Sequence, residues 1–181
     1  MSGKAEPWQT AEIAGPTKAF AIMKPEVIVT MIRQAIRPIL VVGHLATKTD
    51  SENGKMINYA IRLNKNAGIP IVATAHTIRE FVKKDFHSVV SMSAMDIGNR
   101  LKDSNWNGLD GKGPYDLVLI MGLPYYMEFV ILSGLKHFSK NLTTVSLHRY
   151  YNPNANWSFP NLEVEAWKQS FEIIINKLGR K

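Results

Sequence analysis

Five histidines, at positions 44, 76, 87, 137 and 148, are the residues of this chain best suited to metal or proton chemistry. No two are four apart, the spacing that places a pair on one helix face, and none belongs to an HExxH pattern. Cysteine is absent. Thiol nucleophiles, disulfides and thiolate-bound zinc or iron–sulfur centres are therefore outside this chain's own chemistry. No metal-ligand set is predicted, and metal chemistry associated with the chain would belong to a partner. The 15 carboxylates are equally uncommitted. Asp96, Asp103, Asp110 and Asp116 fall in loop or helix-end surroundings, Asp110 before Gly111 as turn chemistry and Asp116 at the start of a strand. There is neither a GxSxG elbow nor a Ser–His–Asp ordering, so no catalytic residue is predicted. His44 and His148 could titrate near neutral pH or serve as hydrogen-bonded structural residues. Arg149 carries a guanidinium fork that matches phosphate oxygens.

The elements that would position these groups can be read from apolar periodicity. Pro25 suits a first helical turn, and Val27, Ile28, Met31, Ile32, Ala35 and Ile36 follow at helical spacing. Pro38 ends that helix and opens PILVVG, a run suited to a strand buried on both faces, as parallel strands are. A polar segment, HLATKTDSEN, leads to a helix from Lys55 to Asn66 with Gly68 as its C-cap, then to the strand IPIVAT. Helical patterns recur at TIREFVKK and SAMDIGNRLK, with a short strand at HSVVSM between them. The strand DLVLIMG, the helix YYMEFVILSGLKHF, the strand TTVSLH, the irregular RYYNPNANWSFPN and a helix from Glu163 to Leu178 complete the series. Alternating strands and helices predict an α/β, three-layer α/β/α Rossmann-like open parallel sheet, one domain over residues 25–181 preceded by an extended arm over 1–24.

Ligands of such sheets bind beyond the carboxyl ends of the strands, where the strand order reverses. Four turns qualify: Gly43-His44-Leu45, Thr74-Ala75-His76, Gly122-Leu123 and His148-Arg149. Neither a GxGxxG fingerprint nor a P-loop is present, so a bound nucleotide rests on these turns alone.

Composition narrows the class. The chain is 181 residues long, 45% hydrophobic and 20% charged, with a net charge of +7. Its basic residues are scattered and not interleaved with aromatics, which argues against a nucleic-acid platform. The longest apolar runs are far shorter than a membrane-spanning helix, and no signal-like stretch opens the sequence, so a cytoplasmic location is expected. Trp106, Tyr125, Tyr126, Tyr150, Tyr151, Trp157 and Phe159 fall in predicted loops or at a helix start. Interfaces favour such residues, which makes them candidate partner contacts, although they could equally cap the sheet's own edges.

One loop stands out: NWNGLDGKGPYD, residues 105–116, which introduces the strand DLVLIMG. Together with RPILVVGHLA, NAGIPIVAT and SFPNL, it resembles the ε subunit of the archaeal acetyl-CoA decarbonylase/synthase complex, collinearly from about Pro25 onward. The resemblance implies a nucleotide-binding-type domain like that of thiamine-diphosphate enzymes and deoxyhypusine synthase. It implies an accessory subunit that binds and stabilises the carbon monoxide dehydrogenase α subunit as α2ε2, with nickel–iron–sulfur clusters only on α. It also implies that FAD could be bound and electron transfer to flavin assisted. The pocket would then comprise Gly43, His44, Leu45, Thr74, Ala75, Gly122 and Arg149. Two alternatives are a stand-alone flavin- or nucleotide-binding electron-transfer protein and, for the isolated chain, a homo-oligomer.

Overall fold

The computed structural model describes residues 17–48, 56–74 and 76–180. Most of the predicted arm, the predicted helix start at Lys55, and Ala75 lie outside the described residues. Seven parallel strands form one sheet in the order β1-β7-β6-β5-β2-β3-β4. The two central strands are β2 (Pro38–Val42) and β5 (Leu117–Met121), paired over five residues from Pro38↔Leu117 to Val42↔Met121. Their unbroken apolar runs are buried on both faces, as a central parallel strand requires. From β2 the chain moves outward through β3 (Ile71–Ala73) to β4 (Val89–Ser91). It then returns to β5 on the other side of β2 and continues through β6 (Thr143–Ser146) and β7 (Trp157–Ser158). The order therefore reverses between β2 and β5, the point where open α/β sheets carry ligands.

Alternation along the strands supplies two cores. Leu40 and Val42 face a layer made by α1 (Glu26–Gln34), α2 (Met56–Ala67), α3 (Thr77–Val82) and α6 (Val164–Gly179). Ile39 and Val41 face α4 (Ala94–Lys102) and α5 (Tyr125–Phe138). The predicted fold class is the one observed. Gly68 ends α2 as expected, at φ +67°, with its N–H donating to the carbonyl of Asn64.

Three local readings differ. Helix α1 stops at Gln34, and Ile36, assigned to its apolar stripe, is 88% exposed. The N–H groups of Ile36 and Arg37 donate instead to the Asp116 carboxylate at 2.7 and 2.8 Å, and Pro38 disfavours a helical Arg37. Strand β7 arises inside the stretch read as irregular. Strand β1 (Phe20–Ala21) pairs with it from within the predicted arm, Phe20 beside Trp157 with ring centroids 5.0 Å apart.

The loop before β5 folds back on the amino ends of β2 and β5. Arg37 bonds Asp110 through two nitrogens, at 2.5 and 3.4 Å, and its guanidinium lies 5.0 Å from the Tyr115 ring centroid. Gly108 is at φ +75°, and a Cβ there would lie 2.7 Å from the Gly113 carbonyl and 2.9 Å from Arg37 Nη2. Only glycine fits that crossing. Trp106 packs half-buried between Tyr115, at 5.6 Å, and the Arg100 guanidinium, at 5.9 Å. The loop is a clasp around Arg37.

Candidate functional site

At the carboxyl ends of the central strands, two glycine turns lock together. The Gly43 N–H donates to the Met121 carbonyl at 2.8 Å and the Leu45 N–H to that of Gly122 at 2.9 Å. A Cβ on Gly43 would stand 2.2 Å from the Gly122 oxygen and 2.5 Å from the Leu123 nitrogen. Gly122 itself is at φ +70°, against Ala46 of the short 3₁₀ turn His44–Thr47. These glycines admit each other's backbone, and the turn sits over the reversal. Thr74 is buried beside them, its N–H donating to the Val42 carbonyl, and the His44 carbonyl accepts the Thr47 hydroxyl at 2.7 Å.

An open cavity of about 260 Å³ lies next to this lock, and of the predicted pocket residues Leu45 and Arg149 line it. Met56 and Trp167 add apolar wall, and Tyr125, His148 and Tyr150 add rings. Sequence reasoning placed His148 in a candidate turn; it left Met56 and Trp167 aside because they come from the opposite helix layer. The Trp167 indole donates to the Leu147 carbonyl at 2.9 Å, and the Tyr125 hydroxyl to that of Tyr151 at 2.9 Å, which fixes both walls.

The His148 Nδ1 accepts the Tyr150 N–H at 3.2 Å, which assigns the ring proton to Nε2. Burial pushes its pKa down to about 4, with the positive charge of Arg149 acting in the same direction. It is therefore a neutral donor at physiological pH. The Arg149 guanidinium lies 4.0 Å from the Tyr150 ring centroid, donates to the Leu162 carbonyl at 3.3 Å and bonds the Tyr150 hydroxyl. A neutral N–H donor, a cation and aromatic faces around one apolar cavity suit a planar ring with an acceptor or anionic edge. Small-molecule pockets span roughly 300–1,000 Å³, so this space accommodates a ring rather than a whole dinucleotide.

The Ser146 Oγ, which accepts the His148 N–H at 3.4 Å, leads to a group that no sequence motif singles out. Glu128, in the first turn of α5, is fully buried and accepts the Ser146 hydroxyl at 2.5 Å, and its other oxygen has no protein hydrogen-bond partner. Burial pushes its pKa up to about 8, partly opposed by the Ser146 bond, so it is mostly protonated at neutral pH.

The aromatic residues divide. Tyr151 and Phe159 are interior, Trp106, Tyr125 and Trp157 are half-buried, and Tyr126 and Tyr150 are exposed. Tyr151 and Phe159, read from the sequence as candidate partner contacts, are interior instead: Tyr151 donates to the Ala19 carbonyl, and Phe159 packs on Phe171 in the core. Among the described residues no group of three His, Asp or Glu is arranged to hold a metal ion, and no helix is long and apolar enough to cross a membrane.

The profile of the family described as CO dehydrogenase beta subunit/acetyl-CoA synthase epsilon subunit matches residues 2–175. The chain is 35% identical over 176 residues to the acetyl-CoA decarbonylase/synthase complex subunit epsilon of Methanothermobacter thermautotrophicus, covering 95% of both chains. It is 40% identical over 157 residues to that of Methanothrix soehngenii, covering 86% of this chain and 81% of the relative. To the subunit epsilon 1 of Methanosarcina barkeri it is 35% identical, covering 86% and 88%. On the match over residues 2–175 and the similarity over 95% of both chains, the chain belongs to the family of CO dehydrogenase beta subunits and acetyl-CoA synthase epsilon subunits.

Proposed function

We propose that this chain is an accessory, non-catalytic subunit that binds and stabilises the carbon monoxide dehydrogenase α subunit, as α2ε2, within an acetyl-CoA decarbonylase/synthase complex. The observation that carries the reading is the similarity over 95% of both chains to a protein named as a subunit of that complex. The absence of cysteine supports the division of labour, since nickel–iron–sulfur chemistry needs thiolates that only a partner can supply. Mixing the purified chain with an α subunit and measuring the mass of the eluting species tests it. A species containing two copies of each chain is expected; two independently eluting proteins would refute the assembly.

The His148–Arg149 cavity favours a second role inside the first, the binding of FAD with assistance to electron transfer. When bound, a flavin supplies reversible uptake of electrons. The chain's contribution would be a donor at His148 Nε2, positive charge from Arg149 at the ring's acceptor edge, and rings to stack upon. Because the glycine turns fill the strand-order reversal, the rest of such a cofactor would run along the surface or against a partner. Titrating FAD into the chain, alone and with α present, should give saturable fluorescence quenching that Arg149→Ala weakens about tenfold, the loss of one charged hydrogen bond. No quenching in either case would leave the cavity a structural feature. A stand-alone electron-transfer protein is favoured only if FAD binds and α does not.

A further inference from the structure

The two helix layers present different outer surfaces. On α6 and its neighbours, charges alternate and pair: Glu165 with Lys168 at 2.8 Å, Arg62 with Glu172 at 2.7 Å and Lys177 with Glu26 at 3.1 Å. That is how a solvated face looks. Helix α5, YYMEFVILSGLKHF, is apolar nearly all round. Ile131, Leu132 and Leu135 fill the core beneath it, yet Tyr126 is 70%, Val130 57% and Phe138 70% exposed on its outer side. A helix that is hydrophobic on every side belongs in an interior. Gly134 lies between these residues along the helix, and a Cβ there would meet nothing within 4 Å, so another element can approach closely.

The unburied charges of α5 itself have one sign. The single carboxylate of α5, Glu128, is buried under the helix. At the far end Lys102 stands over the Phe138 ring at 5.9 Å, with His137 and Lys140 exposed nearby in the chain. Lys136 already donates to the Thr17 carbonyl. The adjacent carboxylate, Asp103, accepts the Asn105 N–H within its own loop. An apolar stripe with a basic end calls for an apolar surface bordered by acidic residues. A second copy of this chain has no exposed carboxylate on its own α5, so that helix cannot supply the acidic border in a two-fold pairing through this face.

We infer that the outer face of α5, centred on Tyr126, Val130 and Phe138, is the surface that docks the carbon monoxide dehydrogenase α subunit, through an apolar element of α flanked by carboxylates. The inference rests on the functional reading above and names the surface that carries it. Helix-in-groove recognition uses this i, i+4 anchoring, and Val130 lies at the centre of the stripe.

The test compares wild-type chain, Val130→Lys and Lys102→Glu on this face, and Ile173→Lys on the exposed side of α6. Each is captured with purified α subunit after circular dichroism shows native folding; all three substituted sites lie at the surface. Expected is a loss of affinity of at least thirtyfold for Val130→Lys, a three- to tenfold loss for Lys102→Glu that shrinks at high salt, and no change for Ile173→Lys. Wild-type binding with Val130→Lys unaffected overturns the α5 surface and leaves the subunit reading standing. Failure of the wild-type chain to bind α overturns both. If sedimentation of the chain alone shows a dimer that Val130→Lys splits, a second copy occupies this face and the inference is wrong. Equal losses for Val130→Lys and Ile173→Lys overturn it as well.

Discussion

At the amino end of the sheet, Arg37 is held by Asp110 and the Tyr115 ring, while Asp116 binds the backbone of Ile36 and Arg37. At the carboxyl end, Glu128 is buried with one oxygen lacking a protein partner, and His148 is held neutral beside a guanidinium. The first arrangement leaves the Arg37 Nε buried without a partner, yet it pairs its charges, Arg37 with Asp110, and closes a loop. The second tolerates burial that costs stability, next to a cavity lined by His148 and Arg149. Features that lower stability without closing a contact are expected where a protein binds something. The loop most conspicuous in the sequence is thus the brace, and the residues beside the cavity are inconspicuous ones.

The contrast can be broken most forcefully at Gly43. Its missing Cβ is replaced by backbone of the neighbouring turn, which has no flexible end to move away. Gly43→Ala should cost about 4 kcal/mol, in the range reserved for severe steric conflict, read as a drop in the denaturant midpoint. A near-neutral result would mean that the two turns can separate, and that the strand-order reversal can open to a ligand.

Next in size is the brace itself. Asp116→Ala removes a carboxylate that accepts the backbone N–H groups of Ile36 and Arg37 and should cost about 2–3 kcal/mol. FAD and α affinities should be unchanged once the variant is folded. A variant that retained its stability but lost a partner would turn the amino end into an interface.

Glu128 sharpens the comparison through pH. Its folded-state value of about 8 lies above the ordinary 4.5, so on raising the pH the unfolded chain gives up this proton before the folded one does. Stability is therefore lost as pH rises between those values and levels off above about 8. Glu128→Gln keeps the shape without the ionisation. It should flatten that slope and be the more stable protein at pH 8 by about 1–3 kcal/mol, with little difference at pH 4, as thermal melts across the range would show. Parallel pH profiles would place the ionised form comfortably in the core.

Smallest is Trp106→Ala. Its ring packs on Tyr115 and under Arg100, contacts worth about 1 kcal/mol together. The loss should appear in the melting temperature and not in partner binding.

How much of this was legible in the sequence depends on how local each cause is. Strands β2 and β5 are continuous apolar runs, and Gly68 follows an amphipathic stretch, so short windows suffice. Strands β1 and β7 have two residues each and exist through pairing across the chain, β1 on β7 and β7 on β6, which no short window around Trp157 contains. The clasp joins Arg37 to Asp110 across 73 residues. Gly43 reads the same whether a ligand or the Gly122 turn occupies the space its side chain would fill. That ambiguity is why the turns were identified while the cavity's other walls, Met56 and Trp167, were not. Glu128 looked like any surface acid on a helix, and only the packing of α5 on β6 buries it.

The measurement that tests the central claim most directly is the thermal inactivation rate of a carbon monoxide dehydrogenase α subunit, alone and with this chain in excess. Binding that favours the native partner must slow its loss by mass action. A half-life extended severalfold, with Val130→Lys giving no protection, is the predicted result. Identical half-lives with and without the wild-type chain would contradict the account.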